Sequence, residues 1–471
     1  MDIKNYVKKA RSGKIDLIKN TKNIISECEK INKEYNYFNV ISKDSAIKKA
    51  EELYKKDSKG KLFGVPVSVK DCICVKDVES RAGSKILSGY NPVFDATVVD
   101  KVKKEGGIIL GKTSQDEFGF GSFNVNVGVD FKIPKNPVDK ERTCGGSSGG
   151  AAGITKKLEY PHAALAESTG GSIAAPASYC GVIGLCPTYG RVSRYGLMDY
   201  ANSLDKIGVI SRNIDDCALV LEVISGYDNK DSTSLNVPDY KYSRIEQDEK
   251  KLKIGIIKES LLEGVDKEVK KSILRLVGKL KSKEIEVKEV SLPLVFKYGI
   301  QTYYLISMAE ASTNLAKFCG MRYGYEEKIQ GNFNDYFSKI RTKSFSREAK
   351  RRIILGTFAR MAGYRDAYYL KAMKVRTLMI EEYKKLFSEF DLLISPTMPN
   401  FAPRLDEIDK LSPLENYMMD IMTVGPNLCG FPHISVPYGS KHNMPIGVMF
   451  TADHLEEKKL IEIGKIVEKI G

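Results

Sequence analysis

Residues 144–181 read CGGSSGGAAGITKKLEYPHAALAESTGGSIAAPASYCG, two glycine–serine loops separated by a short alanine-rich stretch. The glycines around Ser147 and Ser148 permit left-handed backbone and close approach of neighbouring chain. A flexible linker shares that composition, but the flanks are not of low complexity, and the alanines after Gly150 suit a packed helix. Thr169-Gly170-Gly171-Ser172 can present a hydroxyl beside several backbone N–H groups, and the small residues after Ser172 suit a tight helix start. Such a loop offers both a nucleophile and donors for a developing oxyanion, each donor worth ~3 kcal/mol of barrier.

Outward from this core, helical and strand patterns alternate along the chain, which predicts an α/β fold. Residues 1 to about 58 read as a polar helical segment. In FGVPVSVKD, Val65, Val67 and Val69 alternate as in a strand, which places Ser68 and Lys70 on the opposite face. A helix is predicted over 96–105 and a short strand over 108–110. A polar linker, 228–251, precedes a β-α-β unit. Its helix carries Val269, Ile273, Leu276, Val277 and Leu280 on one stripe, with Asp266 as N-cap. Helical patterns fill about 296–389. DLLISP, HISVP and IGVMF read as strands, and a closing helix starts near His454.

Residues 106–113, GGIILGKT, satisfy a phosphate-loop pattern letter for letter. That loop needs flexible backbone around the phosphate, whereas Ile108, Ile109 and Leu110 are β-prone. A strand ending in a turn at Gly111 is the better reading.

The bulk numbers exclude several classes. With 471 residues, 42% hydrophobic and 28% charged, the chain has the composition of a water-soluble globular protein. No run approaches the roughly 20 apolar residues of a membrane helix, and the charged N-terminus is unlike a signal peptide, so the cytoplasm is expected. The formal charge of +14 is spread along the chain, and its densest cluster is only Lys350-Arg351-Arg352. Nine scattered cysteines and four histidines form no metal-ligand spacing, so no metal site is expected and reduced, packed thiols are. Because no histidine falls in 144–150, in 168–181 or beside Lys70, Lys70 is the candidate base. A lysine serves in that role when neutral, a form that dry, apolar surroundings favour.

GGSSGG followed by TGGSI-x-x-PA-x-x-CG resembles the amidase signature family, and the likeness extends over most of the chain. Within the family it is similar to the glutamine-hydrolysing A subunits of tRNA-dependent amidotransferases. GKTSQDEFGFGS (111–122), PTYGRVSRYGL (187–197), KRRIILGTF (350–358) and DAYYLKAMKVRTL (366–378) carry that finer likeness. The resemblance implies a single large catalytic domain over 59–471, with a mixed central sheet covered by helices on both faces. It implies a triad of Lys70, Ser147 (held by a cis peptide bond) and Ser172, with Ser148 supporting the loop. The oxyanion hole would be the amides of Thr169, Gly170, Gly171 and Ser172. Tyr303 and Arg352 would meet the α-carboxylate of glutamine, with Arg351 as the competitor, and Asp420 its ammonium. It further implies B and C partner subunits, tRNA reached through the complex, no cofactor in this chain, and ATP with Mg on a partner. The alternatives are a free-standing amidase for another small amide and a catalytically weak scaffold within such a complex. Departures from the family pattern fall at Cys144, Ala166, Glu167, Ser168, Ala174 and Cys186. Relatives commonly carry Asp and Arg where this chain has Ser168 and Ala174, and loss of both charges strands neither.

Overall fold

A computed structural model describes residues 1–55, 60–246 and 252–471. Among these, eleven strands join in one sheet. The first six are β1 (Phe38–Ile41), β2 (Pro66–Lys70), β3 (Ile108–Thr113), β4 (Ala163–Ser168), β5 (Ile183–Cys186) and β6 (Lys206–Ser211). The rest are β7 (Lys253–Ile257), β8 (Glu286–Val290), β9 (Leu392–Pro396), β10 (His433–Lys441) and β11 (Met444–Ala452). Their spatial order is β1-β3-β2-β4-β6-β5-β10-β11-β9-β7-β8. Parallel pairs at β3-β2-β4 and β9-β7-β8 flank an antiparallel centre, so the sheet is mixed as expected. Helices flank it, and the whole is α/β.

Every residue of β2, β3 and β4 is buried, so the face predicted to be polar is as dry as the valine face. Parallel strands covered on both sides lose alternation for this reason. The helix Thr97–Lys104 joins β2 to β3, and the helix Gly149–Lys157 leads into β4. The three parallel strands therefore end together. Their carboxyl ends are the usual place for a ligand in an open α/β sheet.

The β7–helix–β8 unit forms as its pattern predicts. Asp266 accepts from the N–H groups of Glu268 and Val269, and the apolar stripe from Val269 to Leu280 is buried. Elsewhere the structure corrects the reading. Segment 1–58 contains β1 between its helices, and that strand pairs with β3 at the sheet edge. Ile3, Tyr6, Ile24 and Cys28 join the main core, so the segment is not set apart from the rest. The strand at 108 runs through Gly111 to Thr113 instead of turning. Gly111 has φ +152°, and a Cβ there would lie 2.1 Å from the Val40 carbonyl oxygen, so the closeness of β1 requires glycine. Strands β4, β5 and β6, in glycine- and alanine-rich sequence, were not foreseen. Residues 56–59, and 247–251 of the linker, lie outside the described residues.

Candidate active site

Lys70 closes β2 at the carboxyl end of the parallel strands, and β2–β4 pairing sets Val69 opposite Leu165. That register brings the end of β4 beside the lysine. Lys70 has no exposure, and its Nζ donates to Ser147 Oγ at 2.7 Å. It also donates to the Glu167 carbonyl at 3.0 Å and to Glu167 Oε2 at 2.9 Å. The dryness expected around this amine is present. The buried Glu167 carboxylate beside it is a correction to that expectation, since the surroundings are dry without being wholly apolar.

The Gly146–Ser147 peptide is cis. The Ser147 loop rests on the segment after β3. Asp116 N–H donates to the Ser147 carbonyl, and Gly146 N–H donates to the Ser122 carbonyl at 2.7 Å. A Cβ on Gly146 would sit 2.1 Å from Asp116 Oδ2, so no side chain fits there. Asp116 accepts from Asn124 and Asn126 N–H groups, both at 2.9 Å, and burial pushes its carboxyl up to about 6. This anchor was not read from the sequence, although GKTSQDEFGFGS supplies it. Ser148 Oγ donates to the Glu167 carbonyl at 3.2 Å, the same oxygen that Lys70 holds.

Ser172 lies in the turn between β4 and the helix Ala174–Cys180 and is buried. Among the described residues, the N–H groups of Gly170, Gly171 and Ser172 donate to no protein acceptor. A Cβ on Gly170 would lie 2.8 Å from the Tyr303 ring, and one on Gly171 would lie 2.3 Å from Thr423 Oγ1. Both glycines are therefore sites of close packing. Thr169 Oγ1 lies 2.8 Å from both Glu167 Oε1 and Asp205 Oδ1. At the departures from the family pattern, Ser168 Oγ accepts from Asn427 Nδ2 at 3.1 Å, and Ala174 is fully buried. Neither position strands a charge.

The three expected anchors also converge. Tyr303 packs against Tyr304 with ring centroids 4.9 Å apart, and Tyr304 OH donates to Asp420 Oδ2 at 2.8 Å. Ser122 Oγ donates to the same oxygen at 2.7 Å, which ties Asp420 to the Ser147 loop. Burial raises the Asp420 carboxyl above the ordinary carboxylate range. Arg352 is buried, donates to Glu348 Oε1 at 2.8 Å and to Tyr200 OH, and lies over the Phe120 and Tyr304 rings. Arg351 shares Glu348, but its side chain is 34% exposed against 3% for Arg352. Ser122, Glu348, Arg351, Arg352 and Tyr417 line a cleft of about 320 Å³, a small-molecule scale. Lys70, Ser147 and Ser172 are not in its lining.

His162 sits at the opposite end of β4 from this cluster, bonded to Ser68 and Thr155. Among the described residues, no group of His, Cys, Asp and Glu has the makings of a metal site, and no helix is long and apolar enough to cross a membrane. All nine cysteines are free, and eight are buried.

A family model described as Amidase matches residues 19–461. The chain belongs to the amidase family. It is 45% identical over 437 residues to the A subunit of the glutamyl-tRNA(Gln) amidotransferase of Macrococcus caseolyticus, covering 92% of this chain and 90% of that one. The protein of the same name from Archaeoglobus fulgidus is also 45% identical, covering 93% of each chain. Among solved structures, the A subunit of the glutamyl-tRNA(Gln) amidotransferase of Thermotoga maritima superposes with a TM-score of 0.82. It is 34% identical and covers 100% of this chain and 94% of its own. Amidase family membership fixes attention on the Lys70–Ser147 contact and the loop that carries Ser172.

Proposed function

We propose that this amidase is the glutamine-hydrolysing A subunit of a tRNA-dependent amidotransferase, releasing ammonia that converts Glu-tRNA(Gln) to Gln-tRNA(Gln). The observation that carries the reading is the buried 2.7 Å bond from Lys70 to Ser147, beside Glu167, two residues before the TGGS loop. Ser172 attacks the side-chain amide carbon of glutamine while its proton passes to Ser147 Oγ, and the Ser147 proton passes to Lys70. The unclaimed N–H groups of Gly170, Gly171 and Ser172, with that of Thr169, hold the tetrahedral oxyanion. The relay returns a proton to the leaving nitrogen, ammonia departs, and water hydrolyses the glutamyl ester on Ser172.

Arg352 suits the α-carboxylate, since a guanidinium fork matches its geometry, and Asp420 suits the ammonium, with Tyr303 beside the carboxylate. Arg352 is the better candidate than Arg351 because it is buried among aromatic rings on the cleft wall. B and C subunits would deliver tRNA, and ATP with Mg would act on a partner, in the cytoplasm.

The test is ammonia release from glutamine by the chain with and without candidate B and C subunits, charged tRNA and ATP. Release that rises with partners and charged tRNA is expected. Equal release by the lone chain, indifferent to tRNA, would make it a free-standing amidase. A complex that forms but releases none would make it a scaffold.

A further inference from the structure

Lys70 makes three contacts, and an ammonium has three hydrogens to give. Its partners are Ser147 Oγ, the Glu167 carbonyl and Glu167 Oε2. Paired with the Glu167 carboxylate at 2.9 Å, the amine is held as the ammonium, which has no lone pair for Ser147. To take a proton from that hydroxyl it must release one, and a backbone carbonyl cannot keep it. Glu167 Oε2 is the one partner that can.

We propose that Glu167 is the proton-holding residue behind Lys70, the place where the proton taken from Ser172 rests while the tetrahedral intermediate exists. The proposal deepens the glutaminase reading and rests on it. Glu167 touches neither substrate nor the reacting atoms; it acts through Lys70 and is a positioning residue.

The second carboxylate of the cluster explains how Glu167 is kept ready. Thr169 Oγ1 has one hydrogen but stands 2.8 Å from carboxyl oxygens of both Glu167 and Asp205. One of those carboxyls must supply the second hydrogen. Asp205 is the one, because burial, with the Glu167 charge added, raises it well above the ordinary range. Its Oδ2 already accepts from the Tyr200 and Ala201 N–H groups at 2.9 Å, which leaves Oδ1 to carry the proton. The chain of donors then runs Asp205 to Thr169 to Glu167 Oε1. At rest Glu167 is ionised, with one oxygen held by Thr169 and the other by Lys70.

The proton count closes. As Ser172 Oγ bonds to the amide carbon, its hydrogen moves to Ser147, that of Ser147 to Lys70, and one from Lys70 to Glu167 Oε2. Lys70 remains an ammonium and Glu167 becomes neutral. When the carbon–nitrogen bond breaks, the proton returns along the same path to the leaving nitrogen. In the second half water supplies the proton, and Ser172 receives it back as the ester bond breaks.

The other groups around the pair are Cys72 beyond β2, Asp116 after β3, Cys186 on β5 and Tyr200 before β6. Burial raises Cys72, Cys186 and Tyr200 and keeps them neutral. Asp116, at about 6, can itself impose an acid limb. The informative quantity is therefore the displacement between proteins rather than one midpoint.

The experiment measures kcat/KM for glutamine from pH 5 to 10 in the assembled complex, for wild type, Glu167→Gln and Glu167→Ser. Expected is a wild-type rate that is flat from pH 7 to 9. Both variants should fall about 100-fold at pH 7, the scale of a lost proton acceptor, and recover tenfold per pH unit with KM unchanged. Glu167→Asp should restore part of the neutral activity. A variant limb that coincides with wild type or moves to lower pH overturns the proposal, since Glu167 would then only hold Lys70 in place or suppress it. If no variant folds, the wild type decides alone: flatness supports the relay, and an acid limb centred above pH 8 overturns it. A wild-type complex that releases no ammonia from glutamine at any pH rejects the functional reading instead.

Discussion

Lys70 and Lys112 lie on neighbouring parallel strands, paired so that Val69 stands opposite Lys112, and neither has any exposure. Burial therefore cannot be what distinguishes them. Lys112 donates to the carbonyls of Asp71 and Ile73 and to Ser80 Oγ, at 3.2, 2.6 and 2.6 Å. Burial lowers it from the ordinary lysine value, with Asp71 opposing. Its partners stitch the segment after β2 to β3. Ser80 gives its own hydrogen to the Val78 carbonyl and the Asp71 carboxylate stands 3.8 Å off, whereas Lys70 is bonded to Ser147 Oγ at 2.7 Å and directly to a carboxylate oxygen at 2.9 Å. The difference teaches that a dry lysine becomes a base through the exchange its partners allow.

The largest effects should follow from breaking that exchange. Ser172→Ala and Lys70→Met are expected to lower ammonia release by about 1,000-fold or more, with circular dichroism unchanged for Ser172→Ala. Near-normal turnover in either would remove the residue from the reaction. Lys112→Met should show the opposite pattern. It leaves Asp71 buried without its cation, yet Asp71 still accepts from Asn39, Arg81 and Gly83. The cost is accordingly at the low end for a broken buried pair, about 3 kcal/mol in a urea titration. Turnover per folded molecule should hold within a few-fold, and a loss as deep as that of Lys70→Met would erase the contrast.

The arginines sharpen the comparison one shell further out. Arg352→Ala is expected to raise KM for glutamine about 10- to 100-fold with kcat little changed, as loss of a carboxylate fork does. The protein should still fold, because Arg351 continues to pair with Glu348. Arg351→Ala should change KM less than about threefold, its charge being part-solvated. Reversed results would exchange the two roles.

What the sequence disclosed follows from how local each signal is. The β7–helix–β8 unit was legible because an N-cap and a five-residue stripe lie within one short segment. The two glycine–serine loops were legible because their side chains can do little except line a tight site. β4 was hidden by AALAES, since alanine has weak strand preference and a doubly buried strand shows no alternation. Gly111 was misread because the backbone that demands glycine there, β1, is some seventy residues away in sequence. Glu167 was seen only as a departure from relatives. A lone charge within an otherwise uncharged stretch was the available signal, but its partners Lys70 and Asp205 become neighbours only through the β2–β4–β6 pairing.

His162 offers the mildest test of dryness without a charge partner. Its ring bonds to Ser68 on β2, two residues before Lys70, and to Thr155, at 3.0 and 3.1 Å. Burial pushes the imidazole down to about 3 from 6.5. The unfolded chain takes up a proton below about pH 6.5, whereas the folded chain does not until about pH 3. Its contribution to stability is therefore complete above pH 6.5 and is lost progressively as pH falls toward 3. At pH 5 the loss is about 2 kcal/mol. Other acid-sensitive groups add to the total, so the measurement is a difference. The unfolding free energy from urea titrations at pH 7.5 and 5 should fall less in His162→Gln, which keeps a donor and an acceptor, by about that same 2 kcal/mol. Equal acid losses in both proteins would mean that water reaches the ring, and the dryness on which the whole β2 comparison depends would fail at its nearest neutral witness.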